Sequence, residues 1–150
     1  YYTSFYPDVL KQIIEDCELQ HLVDRKFNTL SGGEQKRVHF ARVLLQLWIP
    51  ESDIHPRFML LDEPLANLDI YHELKMLEII KKHLSKNIGV LLIVHDLNTA
   101  SKFADNIVLM KNGTMVKNGS TIEVLTESIL SETYETKIKV NDTSPKITYL

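Results

Sequence analysis

Apolar residues recur from the start of the chain at Val9, Leu10, Ile13, Ile14 and Cys17, with Lys11, Glu15 and Asp16 between them. That spacing predicts an amphipathic helix over 7–17, with Pro7 as an early helix residue. A second short helix is expected over 18–24, carrying Leu19, Leu22 and Val23. Val38, Ala41, Leu44 and Leu45 then predict a helix from Gly32 to about Gln46, with Lys36, Arg37 and Arg42 on its other sides. Those cations either hold an anion near the helix start or form a solvated face. Arg57–Leu61 and Gly89–Val94 are short, nearly continuous apolar runs, the pattern of parallel strands buried on both faces. Between them Leu74, Leu77, Ile80 and Leu84 repeat at helical spacing, which predicts a helix over 68–85.

A short helix over 98–103 and a third strand over 106–110 follow. Asn112-Gly113 is a strong hairpin signal leading into Thr114–Lys117. A second turn is expected at Asn118-Gly119, then a helix to about Leu125 capped by Ser120 or Thr121, then a helix over 129–135. Ile138, Val140, Ile147 and Tyr149 alternate weakly, as two short strands or a loose end. Strand, helix, strand, helix, strand in this order argues an α/β fold with a parallel sheet. The helices before Arg57 have no strand between them and look like a separate helical lobe. The stretch 47–56, with two prolines and a Glu-Ser-Asp cluster, reads as a loop.

Composition narrows the function classes. The chain has 150 residues, 44% apolar and 25% charged, enough for a soluble core. A net charge of −3 gives no basic signal for nucleic acid. The single cysteine rules out an internal disulfide framework, and Cys17, on an apolar stripe, fits core packing. Tyr1–Pro7 lacks the basic and apolar regions of a signal peptide, and runs such as Val90–Val94 are too short to span a bilayer. Any membrane role would be peripheral.

The chemistry concentrates at three places. In Leu30–Gln35, Leu-Ser-Gly-Gly-Glu-Gln, Ser31 and Glu34 form an S-x-x-E capping box at a helix start. Gly32 and Gly33 leave the first-turn N–H groups open to close approach, and a helix N-terminus attracts phosphate. Asp62-Glu63 closes a buried strand, and that edge of an α/β sheet is where ligands bind. Adjacent residues of a strand point in different directions, so one carboxylate can hold Mg²⁺ while the other orients an attacking water. His95-Asp96 closes the next strand in the same way. His21, His39, His55, His72 and His83 have no such placement and read as surface or filler, with no metal-ligand spacing among them.

Leu30–Gln35 resembles the signature motif of ATP-binding-cassette (ABC) ATPases, and Lys36-Arg37 continues the likeness. Phe58–Pro64 resembles the Walker B motif, Ala66-Asn67-Leu68-Asp69 the D-loop and Val94-His95-Asp96 the switch histidine, in the family's order over roughly residues 7–125. The resemblance implies the second half of a P-loop NTPase, a RecA-like parallel sheet with helices, plus part of the ABC helical subdomain. Residues 1–56 would be the helical signature subdomain, 57–127 half of the RecA-like core, and 128–150 a C-terminal extension. It further implies Asp62 as the Mg²⁺ residue, Glu63 as general base and His95 as the contact to the γ-phosphate and water. The signature residues Ser31, Gly32, Gly33 and Gln35 would face the γ-phosphate of an ATP held by a partner subunit, with Ser31 and Gly33 donating to it. Asp69 would cross the dimer interface, and it can also cap the following helix. The common D-loop form is Ser-Ala-Leu-Asp, from which Asn67 departs.

No G-x-x-x-x-G-K-[ST] occurs, nor an upstream strand with a Mg²⁺-sensing glutamine. The chain therefore reads as the C-terminal half of an ATPase, not competent alone. Gln46-Leu47-Trp48 followed by the insertion to Arg57 resembles the ATPase subunits of hemin importers, within the iron-chelate and vitamin B12 uptake group. Such subunits work as a homodimer beneath two membrane-spanning permease subunits, at the cytoplasmic face of the inner membrane. The transported compound does not touch the ATPase. Alternatives are a DNA-repair or chromosome-maintenance ATPase, for which heptads before the signature are missing, a translation-associated ABC factor, and a non-catalytic scaffold.

Overall fold

The structure, a computed structural model, describes residues 7–47, 55–84, 88–141 and 146–149. It divides into two compact units, Tyr1–Ile93 and Val94–Leu150.

The first unit opens with α1, Pro7–Asp16, which buries Val9 and Ile13 on its apolar stripe. The expected second helix is only a 3-10 turn, Gln20–Leu22. Glu18 breaks the chain direction first: its φ of 54° is left-handed, which costs a residue with a Cβ and ends the α-helix. A further 3-10 turn, Phe27–Thr29, leads to α2, Gly32–Leu47. The buried stripe of α2 is Phe40, Ala41 and Leu44; of the expected positions Ala41 and Leu44 are buried, whereas Leu45 is exposed. Strands β1, Arg57–Asp62, and β2, Ile88–Ile93, pair in parallel, from Arg57 opposite Ile88 to Asp62 opposite Ile93. Both strands thus leave the sheet at one edge. Helix α3, Ile70–Leu84, connects them. It buries Met76, Leu77, Ile79 and Ile80, whereas Leu74 is exposed. Val9, Ile13, Cys17, Leu44, Met59 and Leu61 are also buried in this unit. Burial pushes the Cys17 thiol up to about 12, with the Asp16 charge adding to it, as suits a packing residue.

The sheet differs from expectation in one respect. Phe58, Leu60, Leu91 and Ile93 are 71%, 73%, 57% and 48% exposed. Side chains alternate across a strand, so Met59 and Leu61 fill the interior while their neighbours form a bare apolar face. Gly89 stands opposite Phe58, and an added Cβ there would lie 2.9 Å from the Phe58 ring.

The second unit holds α4, Leu97–Phe103, the hairpin β3, Asn106–Lys111, and β4, Thr114–Ser120, then α5, Thr121–Val124, and α6, Glu127–Tyr134. β5, Ile138–Asn141, and β6, Lys146–Tyr149, pair antiparallel, which resolves the tail into two strands. The third expected strand, β3, ladders with β4 and not with the β1–β2 pair. Asn112 and Gly113, both at positive φ, make the hairpin turn between them. Asn118-Gly119 makes no turn: β4 runs through it, Gly119 opposite Ile107. Leu97, Leu109, Val124, Leu125, Leu130, Ile138 and Ile147 form one apolar cluster in this unit. Ser120 caps α5 in a capping box with Glu123, the cap foreseen from sequence. Most of the loop expected over 47–56, with Trp48, lies outside the described residues, as do Ser85 and the side chain of Leu84.

Candidate functional site

The capping box at the start of α2 is formed. The Ser31 N–H donates to Glu34 Oε2 at 2.7 Å, and the Glu34 N–H donates to Ser31 Oγ at 3.4 Å. Arg25 Nη1 approaches Glu34 Oε1 at 3.5 Å. The Ser31 hydrogen bonds hold the Glu34 carboxyl below the usual carboxylate range. Because that value is lowered in the fold, Glu34 contributes stability above the ordinary glutamate range and loses it as pH falls below. Asp69 and Glu123 cap helices in the same way, each lowered first by a hydrogen bond, from the His72 N–H and from Ser120. Urea midpoints are therefore expected to fall between about pH 5 and pH 3. Glu34→Gln should flatten that fall; an unchanged pH dependence in this variant would count against the cap.

Gly32 and Gly33 are the first two residues of α2, and neither is at positive φ. A Cβ on Gly32 would meet nothing within 4 Å. One on Gly33 would meet Leu68 Cδ2 at 3.6 Å and the Asn67 carbonyl at 3.8 Å, ordinary contact distances. The fold of this chain therefore requires glycine at neither position. First-turn N–H groups have no intrahelical acceptor, so two smooth, donor-bearing residues stand at this helix start. The Gln35 side chain turns back, donating from Nε2 to the Leu30 carbonyl at 3.0 Å. Lys36 and Arg37 both reach backbone carbonyls of neighbouring segments. Lys36 Nζ donates to the Glu63 carbonyl at 3.2 Å, and Arg37 Nη1 donates to the carbonyls of Cys17 and Glu18 at 3.2 and 3.0 Å.

Asp62 is the last residue of β1 and is exposed. Glu63, also exposed, sits at φ 44° and swings the chain off the strand. A left-handed glutamate is strained by roughly 1–2 kcal/mol, and such strain gathers at functional sites. Both line a cleft of about 210 Å³ beside Lys36, His39 and Leu60. Among the described residues no group of three His, Cys, Asp or Glu side chains could hold a metal. The donor set still fits Mg²⁺, which takes hard oxygen ligands and is commonly held by one or two carboxylates with phosphate and water.

Pro64 begins the turn to α3. Asn67 is at φ 63°, a conformation asparagine tolerates better than the serine or alanine of the common motif. Asp69 caps α3, its Oδ1 accepting from the His72 N–H at 3.0 Å and its Oδ2 lying 2.7 Å from His72 Nδ1. Expected from sequence to be surface or filler, His72 is part of this cap; its place three residues after an N-cap aspartate is the available signal. His95 belongs to the second unit, exposed in the bend between β2 and α4. Asp96 caps α4, accepting from the N–H of Thr99 at 2.9 Å and of Asn98 at 3.2 Å. The structure thus groups Asp62 with Glu63 beside Lys36, and Gly33 with the D-loop turn.

Residues 6–66 match the ABC transporter family. The hemin import ATP-binding protein HmuV of Roseobacter denitrificans is 41% identical over 132 residues, covering 88% of this chain and 51% of that protein. HmuV of Bartonella quintana is 44% identical over 132 residues, covering 88% and 50%. The chain spans about half the length of the curated relatives it matches. An ATP-binding cassette of an ABC transporter, solved in its ADP conformation, superposes with a TM-score of 0.66 at 28% identity, covering 84% of this chain and 48% of that one. A metal-chelate type ABC transporter in an inward-facing conformation shares the fold, with a TM-score of 0.74 at 24% identity over 95% of this chain and 56% of that one. The family match runs from α1 through the signature helix to the D-loop turn, and relatives near 40% identity are similar to this chain over most of its remaining length: the chain is similar to ABC transporter ATP-binding proteins.

Proposed function

We propose that this chain supplies the signature, Walker B, D-loop and switch elements of the ATPase subunit of an importer for hemin or another iron chelate. Supporting this are relatives that carry the hemin import name and the resemblance of Gln46–Arg57 to that group. The observation that carries the reading is at the start of α2. Two glycines that this chain's own packing does not require lie within a formed capping box, between Ser31 and Glu34, which suits a surface that another molecule's phosphate must approach.

In this reading Ser31, Gly32 and Gly33 present donors to the γ-phosphate of an ATP gripped by a second subunit, while Gln35 braces the loop before them. Asp62 would hold Mg²⁺, which when bound neutralises phosphate charge. Glu63 takes the proton of a water attacking the γ-phosphorus, the bond to the ADP oxygen breaks, and phosphate and ADP leave. The family resemblance gives His95 the contact to the γ-phosphate and water. Asp69 ties the start of α3 to the dimer interface. Residues 1–56 act as the helical signature lobe, 57–127 as half of the ATPase core and 128–150 as an extension. The partners are a second ATPase subunit and membrane-spanning permeases, at the cytoplasmic face of the inner membrane. No helix among the described residues is long and apolar enough to cross a membrane.

No P-loop sequence occurs in these 150 residues. Isothermal titration of the isolated chain with Mg-ATP is therefore expected to give a Kd of about 1 mM or weaker. Micromolar binding would mean that the chain grips nucleotide by itself, and would overturn the division of labour proposed.

A further inference from the structure

We propose that Glu18, acting through His72, is a positioning residue that locks the D-loop aspartate Asp69 to the signature helix. This rests on the function proposed above. The corner after α1 is held from two sides. On one, Arg37 of α2 donates to the carbonyls of Cys17 and Glu18. On the other, the Glu18 carboxylate meets α3 three times. Its Oε1 accepts from the Tyr71 hydroxyl at 2.7 Å and from Lys75 Nζ, and its Oε2 faces His72 Nε2 at 3.7 Å. His72 then reaches Asp69 with its other ring nitrogen at 2.7 Å. A carboxylate only accepts, so Nδ1 carries the hydrogen of that bond, and the Nε2 contact to Glu18 is an ion pair when the ring carries its second proton. The left-handed backbone of Glu18 turns the corner between these two sets of contacts.

The chain of contacts is continuous from Arg37, six residues after Ser31 on the signature helix, through Glu18 and His72 to Asp69. Half-exposed ion pairs contribute little to stability, so fixing an angle is the better explanation for three partners on one carboxylate. Asp16 and Lys82 tie α1 to α3 a second time, at 3.2 Å, so the packing of these helices survives loss of Glu18. Such a joint makes the signature start and the D-loop move as one body, although they are nearly forty residues apart in sequence.

Hydrogen exchange on the 150-residue chain tests the joint without any ATPase activity. Glu18→Ala is expected to speed exchange at the His72 amide about tenfold or more while leaving α6 and the melting temperature unchanged. Glu18→Gln, which keeps the acceptor for Tyr71 and Lys75, should restore most of the protection. His72→Ala should speed exchange over 66–72 without affecting 32–36. In the full-length ATPase, Glu18→Ala should lower kcat about tenfold and leave KM for ATP within about twofold. Unchanged exchange at His72, or an equal rise across all helices, overturns the joint. Wild-type protein without ATPase activity would instead refute the function proposed above, and exchange alone would then decide the joint.

Discussion

Glu63→Gln in the full-length ATPase is expected to bind ATP and to lose turnover by about 10²–10⁴-fold, the range for removal of a general base. The substitution changes one atom of the side chain. It leaves the left-handed backbone at φ 44° and the carbonyl that accepts from Lys36. The cleft therefore stays formed, and the loss is a loss of proton acceptance. In the proposed scheme the ATP-bound dimer should accumulate, because bound ATP is no longer cleaved. Asp62→Asn behaves differently in this scheme: it weakens the hold on Mg²⁺ and so lowers affinity for Mg-ATP as well as rate. Steady-state kinetics with a parallel nucleotide-binding assay separates the two. Turnover of Glu63→Gln within tenfold of wild type would show that the base is another residue.

The second large effect is a dissociation of stability from activity at Gly32 and Gly33. Alanine at Gly32 meets open space, and at Gly33 it meets Leu68 and Asn67 at ordinary contact distances. Alanine is the better helix former by up to about 1 kcal/mol per residue, so the urea midpoint of the chain should hold or rise. Yet in the proposed function a side chain at Gly33 would stand where a phosphate comes within hydrogen-bond distance of the helix start. Losing a preorganised donor set at a developing charge costs about 10²–10³-fold in rate, and Gly33→Asp, which adds a like charge, should cost the most. Activity and stability falling in proportion would instead mean that the glycines serve the fold.

How much of this could be read from the chain alone follows from where each signal was local. The capping box needed only Ser31 and Glu34, and the hairpin only Asn112-Gly113; both are where their sequence signals put them. The parallel pairing of β1 with β2 followed from two apolar runs separated by a helix. Failures arose where long-range packing or backbone conformation decided. Of the apolar stripe that spacing predicts for α2, Ala41 and Leu44 are buried, but Leu45 is exposed and Phe40 fills the interior. Glu18 ended a helix by taking φ 54°, which its side-chain type does not announce. Asn118-Gly119 has a turn's composition, yet pairing with Ile107 keeps it extended. At the site, the structure places Asp62 at the end of β1 and Asp69 as the cap of α3, the element ends at which the motifs lie. The roles of Lys36, Arg37 and His72 depended on partners 20 or more residues distant in two of the three cases, which periodicity does not reveal.

The central claim is that the start of α2 serves a nucleotide held by another subunit. The most direct measurement is sedimentation of full-length Glu63→Gln protein with and without ATP, alone and combined with Gly33→Asp. The account predicts an ATP-dependent dimer for the single variant. It predicts a monomer for the double variant, with the Kd for ATP unchanged. A double variant that still dimerises with ATP, or that loses ATP binding as a monomer, would contradict it.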